Sequence, residues 1–244
     1  MLKHILALII FCVANTPAQA VWETTQDLIY GTAHTLDDSE VEFGLLAPLQ
    51  YGISSDVTVA IHPILLLIGV PQITLRYRYT TPSDITASLD VGATWSFLAT
   101  EDSSGQRDDG SCSQVDLGYP GTTELKTTIS WEAERRLLLS GGTGFAVDFL
   151  DVLPIRYLVE LHLSIHWLIT PKDLLMLSGT TYVDVQGEGV DALVRPTGQL
   201  VYARALGSVS LAVGVAAGEF PIDIDAMTGV TLNVYPVLDL WWRF

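Results

Sequence analysis

Four side chains spaced two apart, Glu160, His162, Ser164 and His166, could carry out acyl transfer. At a period of two they share one face of an extended strand, where a carboxylate, an imidazole base and a hydroxyl nucleophile could meet. The same pattern suits a plainer role, a ladder of polar groups that satisfy one another. Charges recur in comparable positions elsewhere: Arg76, Arg78, Asp90, Glu124, Lys126, Glu132, Glu134 and Arg243. Together with Glu160 they could line a selective passage, or close one with internal ion pairs. No His, Cys or carboxylate spacing matches a zinc or EF-hand site, and no phosphate loop or nucleotide fingerprint occurs. Neither a metal nor a cofactor is expected.

The elements that must carry these groups follow from an odd distribution of apolar residues. Hydrophobic residues make up 49% of the 244 positions and charged ones 16%. Yet no stretch after the first twenty residues reaches the roughly 18–20 apolar residues of a membrane helix. The apolar residues alternate instead. In Arg156 to Ile169, Tyr157, Val159, Leu161, Leu163, Ile165, Trp167 and Ile169 oppose Arg156, Glu160, His162, Ser164 and His166. Gln72 to Thr80, Asp84 to Leu98 and Glu124 to Glu134 repeat the pattern, which a helical period would scramble. A soluble β-sandwich also alternates. Three features favour a membrane barrel: segments of about 14 residues, mid-strand charges among Gly, Ser and Thr, and aromatics near strand ends.

Link lengths set a threading. Tight links fall at Thr81-Pro82-Ser83, near Arg135 and at Pro171-Lys172; long ones span Ala99 to Gly121, Gln186 to Thr197 and Glu219 to Gly229. Alternation puts the tight links on one side, expected to be periplasmic, and the long loops on the other. The aromatics then sort without having been used. Trp95, Phe97, Phe145, Phe149 and Tyr157 fall at outer ends; Tyr77, Tyr79, Trp131, Trp167, Trp242 and Phe244 fall at inner ends. With strands near 28–35, 40–48 and 56–62, the expected fold is all-β, a single transmembrane antiparallel up-and-down barrel of about twelve strands. The number is ten if 28–35 and 198–204, which alternate poorly, are not strands. The outer loops are expected to be acidic, with Asp37, Asp38 and Glu40 in the first. The apolar segment from Pro63 to Pro71 falls in an outer hairpin, where the pattern does not explain it.

The two ends agree with export. Residues 1–20, MLKHILALIIFCVANTPAQA, have the basic start, apolar centre and Ala-x-Ala end of a signal peptide. That leaves 21–244 as the barrel and Cys112 as its only cysteine, so no internal disulfide is expected. Removing Lys3 with the leader moves the net charge from −16 to −17, which argues against nucleic acid as a partner.

At the other end, Leu238, Leu240, Trp242 and Phe244 alternate to a terminal aromatic. This resembles the carboxy-terminal signal of bacterial outer-membrane β-barrel proteins. Pro236 departs from it by withdrawing a ladder donor. The resemblance covers the mature chain as architecture. It implies an outer-membrane location, recognition by the barrel assembly machinery, and lipid and lipopolysaccharide as neighbours. Outer-membrane lipid hydrolases also carry a His-x-Ser pair, which they present to lipid. Two functions therefore stand open: a non-enzymatic barrel, either a narrow pore for small polar solutes or a structural component, and a lipid hydrolase using Glu160, His162, Ser164 and His166. An inward His162 favours the first and a lipid-facing one the second.

Overall fold

The computed structural model describes residues 22–44, 47–67, 69–80, 84–95, 121–149, 156–185, 193–207, 209–218 and 234–244. Twelve antiparallel strands form a closed barrel, each bonded to its neighbours in sequence and the last to the first. They are β1 (Val41–Gly44), β2 (Leu49–Ser54), β3 (Val57–Ile61), β4 (Gln72–Thr80), β5 (Ile85–Thr94) and β6 (Gly121–Glu134), followed by β7 (Leu137–Phe149), β8 (Arg156–Thr170), β9 (Asp173–Val185), β10 (Leu193–Ala205), β11 (Val209–Ala217) and β12 (Val234–Arg243). Closure pairs each wall strand on both sides, β12 with β1 through Trp241, Trp242 and Arg243 among the described residues. Phe244 completes it by exchanging both backbone hydrogen bonds with Val41, at 2.9 and 3.0 Å.

Alternation sets the faces. Leu163 is 72% exposed on the outside of β8, while its neighbours His162 and Ser164 are 7% and 5% exposed inside. Outside, Phe145 stacks on Tyr157 and Tyr77 meets Tyr79 edge to face. Inside, space is limited, and Gly142 on β7 shows how limited. A Cβ there would strike the Thr127 carbonyl and the His162 ring, so glycine lets that imidazole lie against the wall. The short links after β2, β4, β6, β8 and β10 share one end of the barrel with Phe244, called here the turn end. The opposite, loop end carries links that lie largely outside the described residues, Ser104 to Ser113 and the acidic stretches 101–116, 188–191 and 219–225 among them.

Residues 28–35 are not a strand, and this corrects the threading. They belong to a segment, 22–40, folded inside the barrel. The expected strand 40–48 is only β1, Val41–Gly44, and a strand that was not expected, β2 at Leu49–Ser54, restores the count of twelve. Asp37, Asp38 and Glu40 therefore form no outer loop. They lead into β1 at the turn end, where Glu40 Oε1 lies 3.6 Å from Arg243 Nε. The physical reason is burial: Leu28, Ile29, Ala33 and Leu36 are all nearly inaccessible, and no wall strand has both faces covered by protein. The segment from Pro63 forms a short helix, α1 (Pro63–Leu67), between β3 and β4.

Candidate functional site: a plugged lumen

The plug begins at the turn end, where Trp22 N–H donates to the Pro171 carbonyl between β8 and β9 at 3.0 Å. A 3₁₀ turn over Thr25–Asp27 follows, closed by a capping box. Thr24 Oγ1 accepts from Gln26 N, and the Asp27 carboxylate accepts from Thr24 N. Trp22 and Leu28 rest on an apolar floor formed by Leu138, Leu168, Leu174 and Ala203. The chain then reverses at Gly31, whose φ of +70° lies in the left-handed region that favours glycine.

A chain buried inside a barrel must find partners for its backbone away from the strand ladder. Wall side chains supply them. Arg243 Nη2 donates to Asp27 O at 2.7 Å, and Arg76 Nη1 donates to Ile29 O and His34 O at 3.1 and 3.2 Å. His166 Nε2 lies 2.9 Å from Tyr30 O and Ser164 Oγ donates to Gly31 O at 2.8 Å. Going the other way, Ala33 N–H donates to Ser130 Oγ at 2.7 Å and Leu36 N–H to Thr58 Oγ1 at 2.9 Å. Tyr30 also lies against Trp241, ring centroids 4.9 Å apart. Burial lowers the pKa of His34 to about 4. Cationic Arg78 and Arg76 add to that effect, against hydrogen bonds to the Thr25 and Leu28 backbone. Burial, with Glu42 nearby, raises that of Tyr30. Both side chains are therefore neutral near pH 7.

The charged residues named from sequence, Glu134 apart, sit on the inner face, and the structure brings four cations onto four acids. Arg76 binds Asp90 in bidentate fashion, both contacts at 2.8 Å. Lys126 reaches Glu160 at 2.6 Å, Arg78 reaches Asp56 at 3.1 Å, and Arg243 reaches Glu42 at 2.6 Å. Asp56 and Glu42 had no place in the sequence-based set. Glu124 accepts from Thr74 at 3.4 Å, and Glu132 lies on the Thr128–Ser130 face of β6. Arg76 and Arg243 thus do two things at once, pairing a wall acid and gripping the plug. Glu134 is exposed at the bulge where β6 ends.

The strand of Glu160, His162, Ser164 and His166 faces inward, the placement that favours the non-enzymatic reading. Glu160 lies beside His162, Oε1 to Nδ1 at 3.5 Å, but the other imidazole nitrogen is 3.3 Å from Thr128 Oγ1. The Ser164 proton is directed at the Gly31 carbonyl. Base and nucleophile therefore do not engage each other, and plug backbone covers the hydroxyl. Among the described residues, no group of three or more His, Cys, Asp and Glu side chains converges as a metal site.

The plug leaves part of the lumen open. A cavity of about 200 Å³ remains on its β8–β12 side, with Ser164, His166, Gln199, Val237, Asp239 and Trp241 in its lining. Below it, where Tyr30, Trp241, Asp27 and Arg243 close in, only about 10 Å³ is left. Sequence reasoning missed the plug residues Tyr30 and His34. The available signal was the poor alternation of 28–35. A second signal was apolar residues at inward positions, Leu138, Leu168, Leu174, Ala203 and Ala212, which a water-filled lumen would not select.

The molecule is thus a closed twelve-stranded antiparallel barrel of porin-like architecture with an internal amino-terminal plug. No family model matches the sequence, and no curated protein matches it. Among solved structures, that of the NanC porin in a rhombohedral crystal form aligns over 84% of this chain and 95% of its own. The TM-score is 0.51 at 9% sequence identity, so the likeness is one of fold.

Proposed function

We propose that this protein is an outer-membrane barrel forming a narrow pore for small polar solutes, held nearly shut by its own amino-terminal segment. The observation that carries this reading is the match between wall and plug. Six wall side chains hydrogen-bond to plug backbone, while a cavity of mixed polar and apolar lining persists beside it and narrows at the turn end. A barrel serving only as a structural element could fill its lumen with wall side chains, with no need for a separate segment. The outward belt that includes Leu161, Leu163 and Ile165 gives the lipid-facing surface. On this reading residues 1–20 are the export signal, Leu238, Leu240, Trp242 and Phe244 address the assembly machinery, and lipid and lipopolysaccharide surround the wall. Beyond the four ion pairs, Glu124 and Glu132 add carboxylates to the inner face. The pore therefore prefers cations and neutral solutes to anions.

The test is single-channel recording of refolded residues 21–244 beside a variant lacking residues 24–36, both checked as folded barrels by heat-modifiable migration. Rare, small, cation-selective openings are expected for the full mature chain and steady larger conductance for the variant. A folded plug-free barrel that conducts nothing refutes the pore.

A further inference from the structure

At the turn end the barrel rim is divided by charge. One arc carries Asp37 and Asp38, which lead into β1, Asp56 in the β2–β3 turn and Asp84 just before β5. Its cation, Arg78, is paired with Asp56 at 3.1 Å. The boundary falls between Asp84 and Arg135, in neighbouring turns. On the other arc, Arg135 and Arg136 form the β6–β7 turn, Lys172 stands in the β8–β9 turn and Arg204 lies near the end of β10, all four exposed. Two acids, Glu134 and Asp173, share this arc, while Glu132 is on the inner face. Asp173 is engaged, pairing with Arg204 at 3.0 Å and accepting from the Tyr202 hydroxyl. Arg135, Arg136 and Lys172 have no carboxylate within ion-pair reach among the described residues. The arc is therefore net positive.

The outer surface next to these cations is aromatic. Trp131 on β6 and Trp167 on β8 are half exposed, and β7 joins them in register, Leu139 beside Trp131 and Leu137 beside Trp167. An indole at a lipid–water boundary keeps its ring among acyl chains and offers its N–H to head groups. The cations above are held in place by contacts between the two turns. Leu168 N–H donates to Arg136 O at 2.9 Å, and Arg136 Nη1 donates to the Ile169 carbonyl at 3.3 Å, at the strand end that leads to Lys172. That bond uses one of the five guanidinium N–H groups and leaves the others for a ligand.

We propose that the β6–β9 arc of the turn end is a binding site for an anionic phospholipid, one whose head is a phosphodiester without an ammonium, as in phosphatidylglycerol. The proposal rests on the membrane reading above and adds a ligand to the outside of the wall. Charge complementarity selects the head. The Arg136 guanidinium presents parallel donors that match the two free oxygens of a phosphodiester, and the Lys172 ammonium adds a compact charge. Arg135 strengthens the field from the same turn. Trp131 and Trp167 flank the glycerol, and the acyl chains lie along Leu139 and Ile165. A zwitterionic head meets the same donors but sets its own cation against the positive surplus, so it binds less well. The acidic arc repels an anionic head, which confines the lipid to one side of the barrel.

The test places a dansyl label at Ile169→Cys on the basic arc, and separately at Tyr79→Cys on the outer face of β4 at the same end, in a Cys112→Ser background. Each mature chain is refolded into phosphatidylcholine vesicles and checked by heat-modifiable migration. Doxyl-labelled phosphatidylglycerol is expected to quench the Ile169 label about fivefold more than doxyl-labelled phosphatidylcholine does, the attraction of one basic residue at a charged surface. At Tyr79 it should quench no more than phosphatidylcholine. Changing Arg135, Arg136 and Lys172 together to Gln should abolish the preference in a barrel that still folds. Equal quenching by the two lipids at Ile169, the same preference at Tyr79, or a preference that survives the triple change overturns the site. So does loss of the preference to inorganic phosphate but not to chloride of equal ionic strength, which would make free phosphate the ligand. If both lipids quench both labels equally, the site fails while the membrane barrel stands. If a folded barrel is quenched at neither label by either lipid, the membrane reading fails too.

Discussion

The plug is held by neutral hydrogen bonds that can be removed without opening a gap in the wall, and Ser164→Ala with His166→Ala is the sharpest such change. Ser164 and His166 serve the Gly31 and Tyr30 carbonyls at 2.8 and 2.9 Å. A neutral hydrogen bond contributes about 0.5–1.5 kcal/mol net, rising to about 1–3 kcal/mol when a partner is left dry. Both residues border the 200 Å³ cavity, so water can replace the lost donors and the lower range applies. Two bonds at about 1 kcal/mol each shift the plugged-to-open balance by about 2 kcal/mol, roughly thirty-fold. Neither residue bonds to a wall strand through its side chain among the described contacts, so barrel stability should hardly change. The assay is open probability in planar bilayers, with Ser178→Ala as the control. Ser178 faces the same cavity and makes no hydrogen bond to the plug among the described residues. A double variant no more open than that control, while the barrel lacking 24–36 conducts freely, would refute the idea that these bonds hold the plug.

Other outcomes follow from the same geometry. Leu163→Arg should cost about 2–4 kcal/mol of insertion free energy and Ile169→Arg, close to the turn end, much less. Refolding titrations into lipid vesicles would reveal the reverse order if the depth assignment were wrong. Because His34 has a folded pKa near 4 against 6.5 when free, its neutral form favours the plugged state. That contribution is complete above about pH 6.5 and shrinks as pH falls towards 4, by at most about 1.4 kcal/mol per pH unit. Open probability should therefore rise between pH 7.5 and 5, and less so in His34→Gln, although His166, Arg76 and Arg78 lie around the same site. An identical pH response in both proteins counts against His34. Phe244→Ser should lower the folded fraction on a heat-modifiability gel far more than Tyr202→Ser, and equal yields would remove the carboxy-terminal signal from the account. Intact cells should take up an impermeant maleimide at Cys112; labelling only after the outer membrane is broken inverts the topology.

The wall of this protein was legible in its sequence because a strand with two different solvents on its faces must alternate, and alternation survives in the order of residues. Tyr157 to Ile169 could be assigned outward and His162 to His166 inward from spacing alone, and turn lengths gave the end at which Phe244 stops. Which cation met which acid was less accessible. Lys126 and Glu160 belong to strands separated by β7, and register across three strands is set by the sum of two turns. The plug was invisible for a related reason. Residues 22–40 have neither the period of a strand nor that of a helix, because their partners are Arg76, Ser130, Ser164, His166 and Arg243, scattered along the chain from β4 to β12. Likewise the apolar run from Pro63 had no period that could tell the short helix α1 from a hairpin. Local periodicity carried the architecture of the barrel. What fills the barrel depended on distances between strands that only closure brings together.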